Sequence, residues 1–350
     1  MDAWDMQVAK DDLRRTRIVR APPPPVADGE ALLEVESFAL TANNVTYGAI
    51  GDSFGYWKFF PASDGWGRIP AWGFARVVKS NAPEAPEGLR LFGYWPMSSH
   101  HLARLARTPG GMVDTSPHRA GLPPTYNSYT EAPGDDLDDH RSLLRPLFGT
   151  GWLIDDQLSE DPDLKTLVIS SASSKTGLSL AWCAHRRGVK VVGLTSAGSV
   201  NLLRGFGIFD EVLAYEAAAG LKADGPSAYV DFAARADVTA AVHCALGDRL
   251  VRSVIVGLTH WEAVDRTAPP PEVGPAPTLF FAPDQIQKRI KDWGPAAFQQ
   301  RYDEALAAFV ADSGWLKLRH HRGPDELLAL YADVLEGRAR PDEGHIVRPR

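Results

Sequence analysis

Cysteine is scarce in this sequence: 350 residues hold two, Cys183 and Cys244. Neither stands near another cysteine at the spacing of a metal or redox pair, which excludes a zinc cluster built on thiolates. No apolar run approaches the roughly 20 residues that span a bilayer. The N-terminal stretch carries Asp2 and Asp5 and lacks an apolar core, so it reads as neither a signal peptide nor a transit sequence. Basic charge is also short, with 37 Lys and Arg against 44 Asp and Glu, a net charge of −7. That balance repels phosphate backbones and anionic lipid, so the expected partner is a small molecule, with no nucleic acid and no membrane. A soluble cytoplasmic protein is expected.

The chain is long for one hydrophobic core and comfortable for two. After the proline run 22–25, residues 31–40 alternate partially and predict a strand. Residues 75–79 and 89–94 predict further short strands, with Gly and Pro between them, and together they argue for a small barrel-like β domain. Residues 108–140 are rich in Gly, Pro, Ser and Asp and read as a long surface loop, ended by a solvated acidic run of Asp135, Asp136, Asp138 and Asp139.

From about residue 143 helix and strand signals alternate, the pattern of a parallel sheet covered by helices. Helices are predicted at 143–158, 178–187 and 200–206, and strands at 164–171, 189–194, 211–213, 228–232 and 250–257. A Pro-rich linker at 268–277 leads to a strand at 278–282 and helices at 285–293 and 297–311. The tail returns to strand and helix signals.

Residues 167–181 read as a buried strand, a turn of small residues and the start of a helix. Ser171, Ala172, Ser173, Ser174, Lys175, Thr176 and Gly177 fill the turn. Small residues let a pyrophosphate come close to the backbone, and a helix N-terminus offers unpaired N–H groups and partial positive charge. Of a G-x-G-x-x-G fingerprint only Gly177 is present, so the position of the turn carries the argument. A P-loop fails because Ile169 and Ser174 stand where it needs glycine, and a Ser-x-x-Lys nucleophile fails at Ala172. A small-residue turn without ligand stays open as the alternative. About 20 residues on, where an NAD site places an acid against the ribose, stand Thr195, Ser196 and Ser199. With Lys175 and Arg204 in plausible reach, these hydroxyls favour the 2′-phosphate of NADP.

These residues resemble the medium-chain dehydrogenase/reductases, in particular their zinc-free, quinone-oxidoreductase-like branch. Residues 167–181 look like that branch's V-x-x-G-A-x-G-x-V-G-x-x-A segment, with Ala172 and Gly177 matching and Ser171 and Ser174 in place of glycines. Residues 193–196, 203–207, 211–212 and Tyr215 follow in the family's order, and 230–232 and 250–257 resemble later sheet strands. The A-S-S-K-T stretch is also similar to the domain of unknown function 2855. The resemblance implies an α/β architecture, a GroES-like β-barrel catalytic domain plus a Rossmann doubly wound parallel sheet. Its parts would be 1–140 (catalytic domain), 141–310 (nucleotide-binding domain) and 311–350 (return to the catalytic domain), with the cofactor between the domains. It implies NADPH as cofactor, with Tyr215, Gly257 and Thr259 joining the turn in binding it. Because residues 1–140 lack cysteine, no zinc is expected. The strand at 278–282 resembles the family's dimer edge, which implies a homodimer.

The implied reaction is hydride transfer from NADPH to an activated C=C or a quinone, without metal. The resemblance puts residues 43–47 at the nicotinamide, making Tyr47 the first candidate proton source and Asn44 its companion. A buried Tyr47 bonded to a backbone carbonyl is the other reading. His260, after the strand ending at Gly257, is either a donor to substrate or a structural histidine. Residues 56–60, with Trp66 and Trp72, either wall an apolar pocket or fill the core. His100, His101, His320 and His321 lack carboxylates at metal-ligand spacing and read as surface or packing residues.

Overall fold

The computed structural model describes residues 3–256, 271 and 273–350. They divide into two compact units, Met1–Leu143 with Leu316–Arg350, and Leu144–Trp315. The chain begins with β1 (Ala3–Ala9), β2 (Thr16–Ala21), β3 (Ala31–Leu40) and α1 (Ala42–Ala49). Then come β4 (Trp66–Gly67), β5 (Pro70–Ser80), β6 (Arg90–Pro96), β7 (His100–Ala103), β8 (Leu105–Thr108), β9 (Gly111–Asp114), α2 (Pro124–Asn127) and β10 (Ser128–Glu131). The helix α3 (Asp138–Leu158) leads to β11 (Thr166–Ile169), α4 (Lys175–Arg186), β12 (Lys190–Thr195), α5 (Val200–Arg204) and β13 (Glu211–Ala214). Next are β14 (Ser227–Asp231), α6 (Ala236–Leu246), β15 (Leu250–Val256), β16 (Thr278–Phe280), α7 (Ala282–Trp293) and α8 (Pro295–Asp312). The chain ends with β17 (Lys317–Arg322), α9 (Gly323–Leu335) and β18 (Glu343–Arg348).

The first unit is GroES-like. Its larger sheet runs β17-β18-β3-β5-β6-β10-β9-β8, with β7 also on β3, and its smaller sheet runs β2-β1-β4. Trp4 N–H donates to Ser99 Oγ at 2.9 Å, and Ser99 N–H donates to Trp4 O at 3.0 Å, so the smaller sheet is tied to the larger. Met6, Leu33, Val35, Phe38 and Trp95 fill the interior, closed by Leu327, Leu330 and Tyr331 of α9.

Residues 108–140 depart from the expected surface loop, because β9, α2 and β10 build them into the barrel. The Arg119 side chain is fully buried, its Nε 3.1 Å from Asp114 Oδ2. Its Nη1 donates to Asn127 Oδ1 at 3.1 Å and to the Tyr129 hydroxyl at 3.0 Å. Burial pushes the Asp114 carboxyl up, but His101 and Arg119 beside it hold it well below the usual carboxylate range. Composition misleads here because the buried charges pair with one another. Removing one partner of such a pair costs about 3–5 kcal/mol. The acidic run is solvated only in part: Asp135 and Asp136 are exposed, while Asp138 and Asp139 are half-buried in ion pairs. Asp138 pairs with Arg90 at 2.8 Å, Asp139 with Arg348 at 2.9 Å and His320 at 2.8 Å, and Asp135 with Arg141. His320 therefore does have a carboxylate partner, one far away in sequence.

In the second unit six parallel strands run β13-β12-β11-β14-β15-β16. This is the 3-2-1-4-5-6 order of a Rossmann sheet, in which the strand order reverses between β11 and β14. Every residue of β11 is buried, as a strand covered on both faces requires. Helix α4 starts three residues before the predicted 178, because the Ser174 hydroxyl caps it by accepting Gly177 N–H at 3.0 Å. Its Trp182 packs on Phe148 and Phe309 and donates its indole N–H to Asp312 at 3.0 Å. The end of the predicted strand 250–257 and most of the Pro-rich linker lie outside the described residues.

Candidate functional site

Ligands of open α/β sheets bind at the carboxyl ends of the strands where the order reverses. Here those ends belong to β11 and β14. Ser170, just past β11, donates its hydroxyl to Asp231 Oδ1 at 2.5 Å and accepts the N–H groups of Phe232 (2.9 Å) and Ala233 (3.1 Å). Asp231 is 5% exposed and also accepts from Ala233 N–H, Ala234 N–H and the Thr239 hydroxyl at 2.8, 3.0 and 3.0 Å. Among the described residues, two that are not glycine have left-handed backbone, Ser171 (φ 47°) and Ala234 (φ 52°). Each follows one of these two strands. Strain of this sort persists only where surrounding bonds impose it, as they do here.

The turn from Ser171 to Gly177 lies where the sequence puts it. Gly177 is required: a Cβ there would stand 2.9 Å from Ser171 O, 3.0 Å from Ser174 Oγ and 3.2 Å from Ala172 Cα. Ser171 N–H donates to the Tyr215 hydroxyl at 3.1 Å, so Tyr215 joins the turn. Ala172 is buried, with its N–H on Leu194 O at 3.1 Å; Ser173, Lys175 and Thr176 are half-buried. At the end of β12 the Thr195 hydroxyl is buried without a hydrogen-bond partner. Ser196 is exposed and lies 3.3 Å from the Ser199 hydroxyl. Arg204 is placed differently from the expected phosphate contact: its guanidinium donates to the Val212 carbonyl at 3.0 Å. Gly257, Thr259 and His260 lie outside the described residues.

Sequence reasoning missed Ser170, Asp231 and Arg235. Arg235 lies over the Tyr215 ring, 4.9 Å from its centroid, and pairs with Asp237 at 2.6 Å. The residues V-D-F-A-A-R carry no fingerprint; an acid closing a buried strand was the signal available.

In the first unit Tyr47 sits on α1, 5% exposed, with its hydroxyl accepting Asn43 Nδ2–H at 2.7 Å. Its ring lies 4.7 Å from Tyr56, 5.5 Å from Tyr94 and 6.4 Å from Tyr126. Phe59, Phe60 and Trp72 complete the nest. Burial pushes the Tyr47 phenol far above its ordinary value, with Tyr126 adding to the effect and Trp72, Asn43 and Tyr94 opposing it. Tyr47 is therefore a neutral phenol able to donate. Asn44 is used structurally: its Nδ2 donates to Pro70 O at 2.9 Å and its Oδ1 accepts Thr41 N–H at 2.8 Å. Trp57 packs on Gly51 and Gly67, and Trp66 carries Arg17 3.9 Å above its ring, so neither joins the nest. Among the described residues no group of three or more His, Cys, Asp or Glu is placed to hold a metal ion, and no helix is long and apolar enough to cross a membrane.

The family described as Protein of unknown function (DUF2855) matches residues 38–340. The chain belongs to this family. No curated protein matches this DUF2855 member by sequence. By fold it is similar to CurA from Vibrio vulnificus in complex with NADPH, at TM-score 0.68 and 13% identity over 99% of each chain. It is also similar to the quinone oxidoreductase from Coxiella burnetii, at TM-score 0.57 and 12% identity over 100% of both chains. A third is the Etr1p/NADP/crotonyl-CoA complex, at TM-score 0.60 and 10% identity over 99% of this chain and 100% of that one. The DUF2855 member thus has the fold of the medium-chain dehydrogenase/reductases.

Proposed function

We propose that the chain is a cytoplasmic NADPH-dependent reductase that reduces an activated C=C or quinone-type small molecule without zinc. The observation that carries this reading is the small-residue turn at the reversal point of a 3-2-1-4-5-6 sheet, with hydroxyls and no acid at the end of β12. The fold relatives whose structures hold NADPH and NADP support the choice of cofactor.

The residues fit a dinucleotide. Gly177 lets the turn close on its own backbone where a Cβ would collide, and Thr195 holds a buried hydroxyl in need of a partner. The first turn of α4 and the residues Ser171 to Gly177 would hold the pyrophosphate. When bound, NADPH supplies the hydride. The chain's part is to bind and orient, and to offer a proton at Tyr47 Oη, whose neutral phenol suits an oxygen that gains negative charge.

One observation favours a second reading, a non-redox enzyme or a non-catalytic nucleotide-binding protein on this fold. Two amides that face the turn already have internal partners: Ser171 N–H is on Tyr215 and Gly177 N–H on Ser174. Titration with NADPH and with NADH, followed by tryptophan quenching and nicotinamide emission, separates the readings. Tight, NADPH-selective binding is expected. Binding of neither nucleotide would overturn the reductase assignment.

A further inference from the structure

Tyr215 comes directly after Ala214, which pairs with Thr195 at the last position of β12. That register puts Tyr215 beside the strand end where a Rossmann sheet meets the adenosine ribose. Its oxygen accepts Ser171 N–H at 3.1 Å, so the same residue also borders the pyrophosphate turn. That bond uses a lone pair and leaves the phenolic O–H as a donor.

Arg235 reaches this place from a third strand. The amides of Ala233 and Ala234 are fixed on Asp231, and the left-handed Ala234 turns the chain so that the next side chain lies on the Tyr215 ring at 4.9 Å. Asp237 takes Nε at 3.1 Å and Nη2 at 2.6 Å, which holds the guanidinium in one orientation and leaves Nη1 for a ligand. The acids near it are Asp237 and Glu216. Arg235 is the N-cap residue of α6, but its side chain makes no capping bond, so the helix does not depend on it. Arg204, the cation the sequence offered for a 2′-phosphate, is held on Val212 O instead.

We propose that Arg235, with the Tyr215 hydroxyl, binds the 2′-phosphate of NADPH and sets the preference for NADPH over NADH. The assignment rests on the reductase reading for its ligand. A planar guanidinium held over an aromatic ring beside a phenolic donor suits a phosphate dianion, and the end of β12 presents the hydroxyls of Thr195, Ser196 and Ser199 and no carboxylate.

The test compares ligands that differ only in that phosphate, 2′,5′-ADP against 5′-AMP by calorimetry and NADPH against NADH by fluorescence. Arg235→Ala is expected to weaken 2′,5′-ADP and NADPH by roughly 10- to 100-fold while 5′-AMP and NADH change less than about twofold. Arg235→Lys should recover part of the loss, and an unchanged melting temperature would show both variants folded. Equal loss for both members of each pair, or no loss, would overturn the assignment while wild-type NADPH binding leaves the reductase reading standing. A wild-type protein that binds neither NADPH nor 2′,5′-ADP would remove both together.

Discussion

The Ser170 hydroxyl donates to Asp231 Oδ1 at 2.5 Å, joining the ends of the two strands between which the parallel sheet reverses. One oxygen donates to a buried carboxylate and accepts two amides of the following turn. Removing it leaves Phe232 N–H without its partner and takes one of three donors from Asp231 Oδ1, in a place closed to water. Ser170→Ala is therefore expected to lower stability by about 2 kcal/mol, read as a fall in the urea midpoint. The same change frees the turn that carries Ala234, so NADPH affinity should fall as well. A stability change under about 0.5 kcal/mol would show that the carboxylate does not need this donor.

Tyr47 is expected to act on the substrate and not on the cofactor. Its phenol is buried and neutral, and its pKa is raised by that burial, so no ionisation of Tyr47 should shape the rate between weakly acidic and weakly alkaline pH. Tyr47→Phe keeps the ring among Tyr56, Tyr94 and Tyr126 and removes only the donor. Turnover should drop by roughly 100-fold, with the NADPH dissociation constant changed less than about twofold. Turnover equal to wild type would end the proton-donor role.

Tyr129 gives the fold an alkaline limit. Burial pushes its phenol up to about 12, with Arg119 pulling the other way and Asp114 adding to the rise. Unfolded, the same group titrates near 10. Between those values the folded protein keeps a proton that the unfolded chain releases, so stability is full below about pH 10 and falls as pH rises toward about 12. The loss from this group is on the order of 2–3 kcal/mol. Urea midpoints measured across that window should fall, and Tyr129→Phe should flatten the slope. A midpoint that does not move with pH would contradict the burial argument.

What the sequence made legible was governed by local pattern. Strands such as β11 and β12 are short apolar runs buried on both faces, and helices separate them, so their order along the chain announced a parallel sheet. The turn at Ser171 to Gly177 was legible for the same reason, since its residues are neighbours in sequence. The barrel wall from β9 to β10 was not, because its polar residues have partners at a distance. Asp114 and Arg119 look solvated until Asn127 and Tyr129 close around them. Arg235 was hidden likewise: its place depends on a left-handed alanine before it and on a tyrosine just past another strand.

The outer edge of the parallel sheet is β16, which pairs with β15 on one side and has no strand on the other among the described residues. Leu279 in its middle is 63% exposed, Phe281 just after it 58%, and Val251 on β15 40%. An apolar, unpaired edge invites another strand, and proteins that stay monomeric usually guard such edges with charge or proline. The strand Thr-Leu-Phe carries neither. We expect a second copy of the chain to cover this edge, so that the protein sediments as a dimer. Leu279→Glu should give a monomer of unchanged melting temperature at low protein concentration, because the side chain contributes little to its own core. A wild-type chain that sediments as a monomer at every concentration tested would remove the dimer, and the exposed edge would then need a different partner.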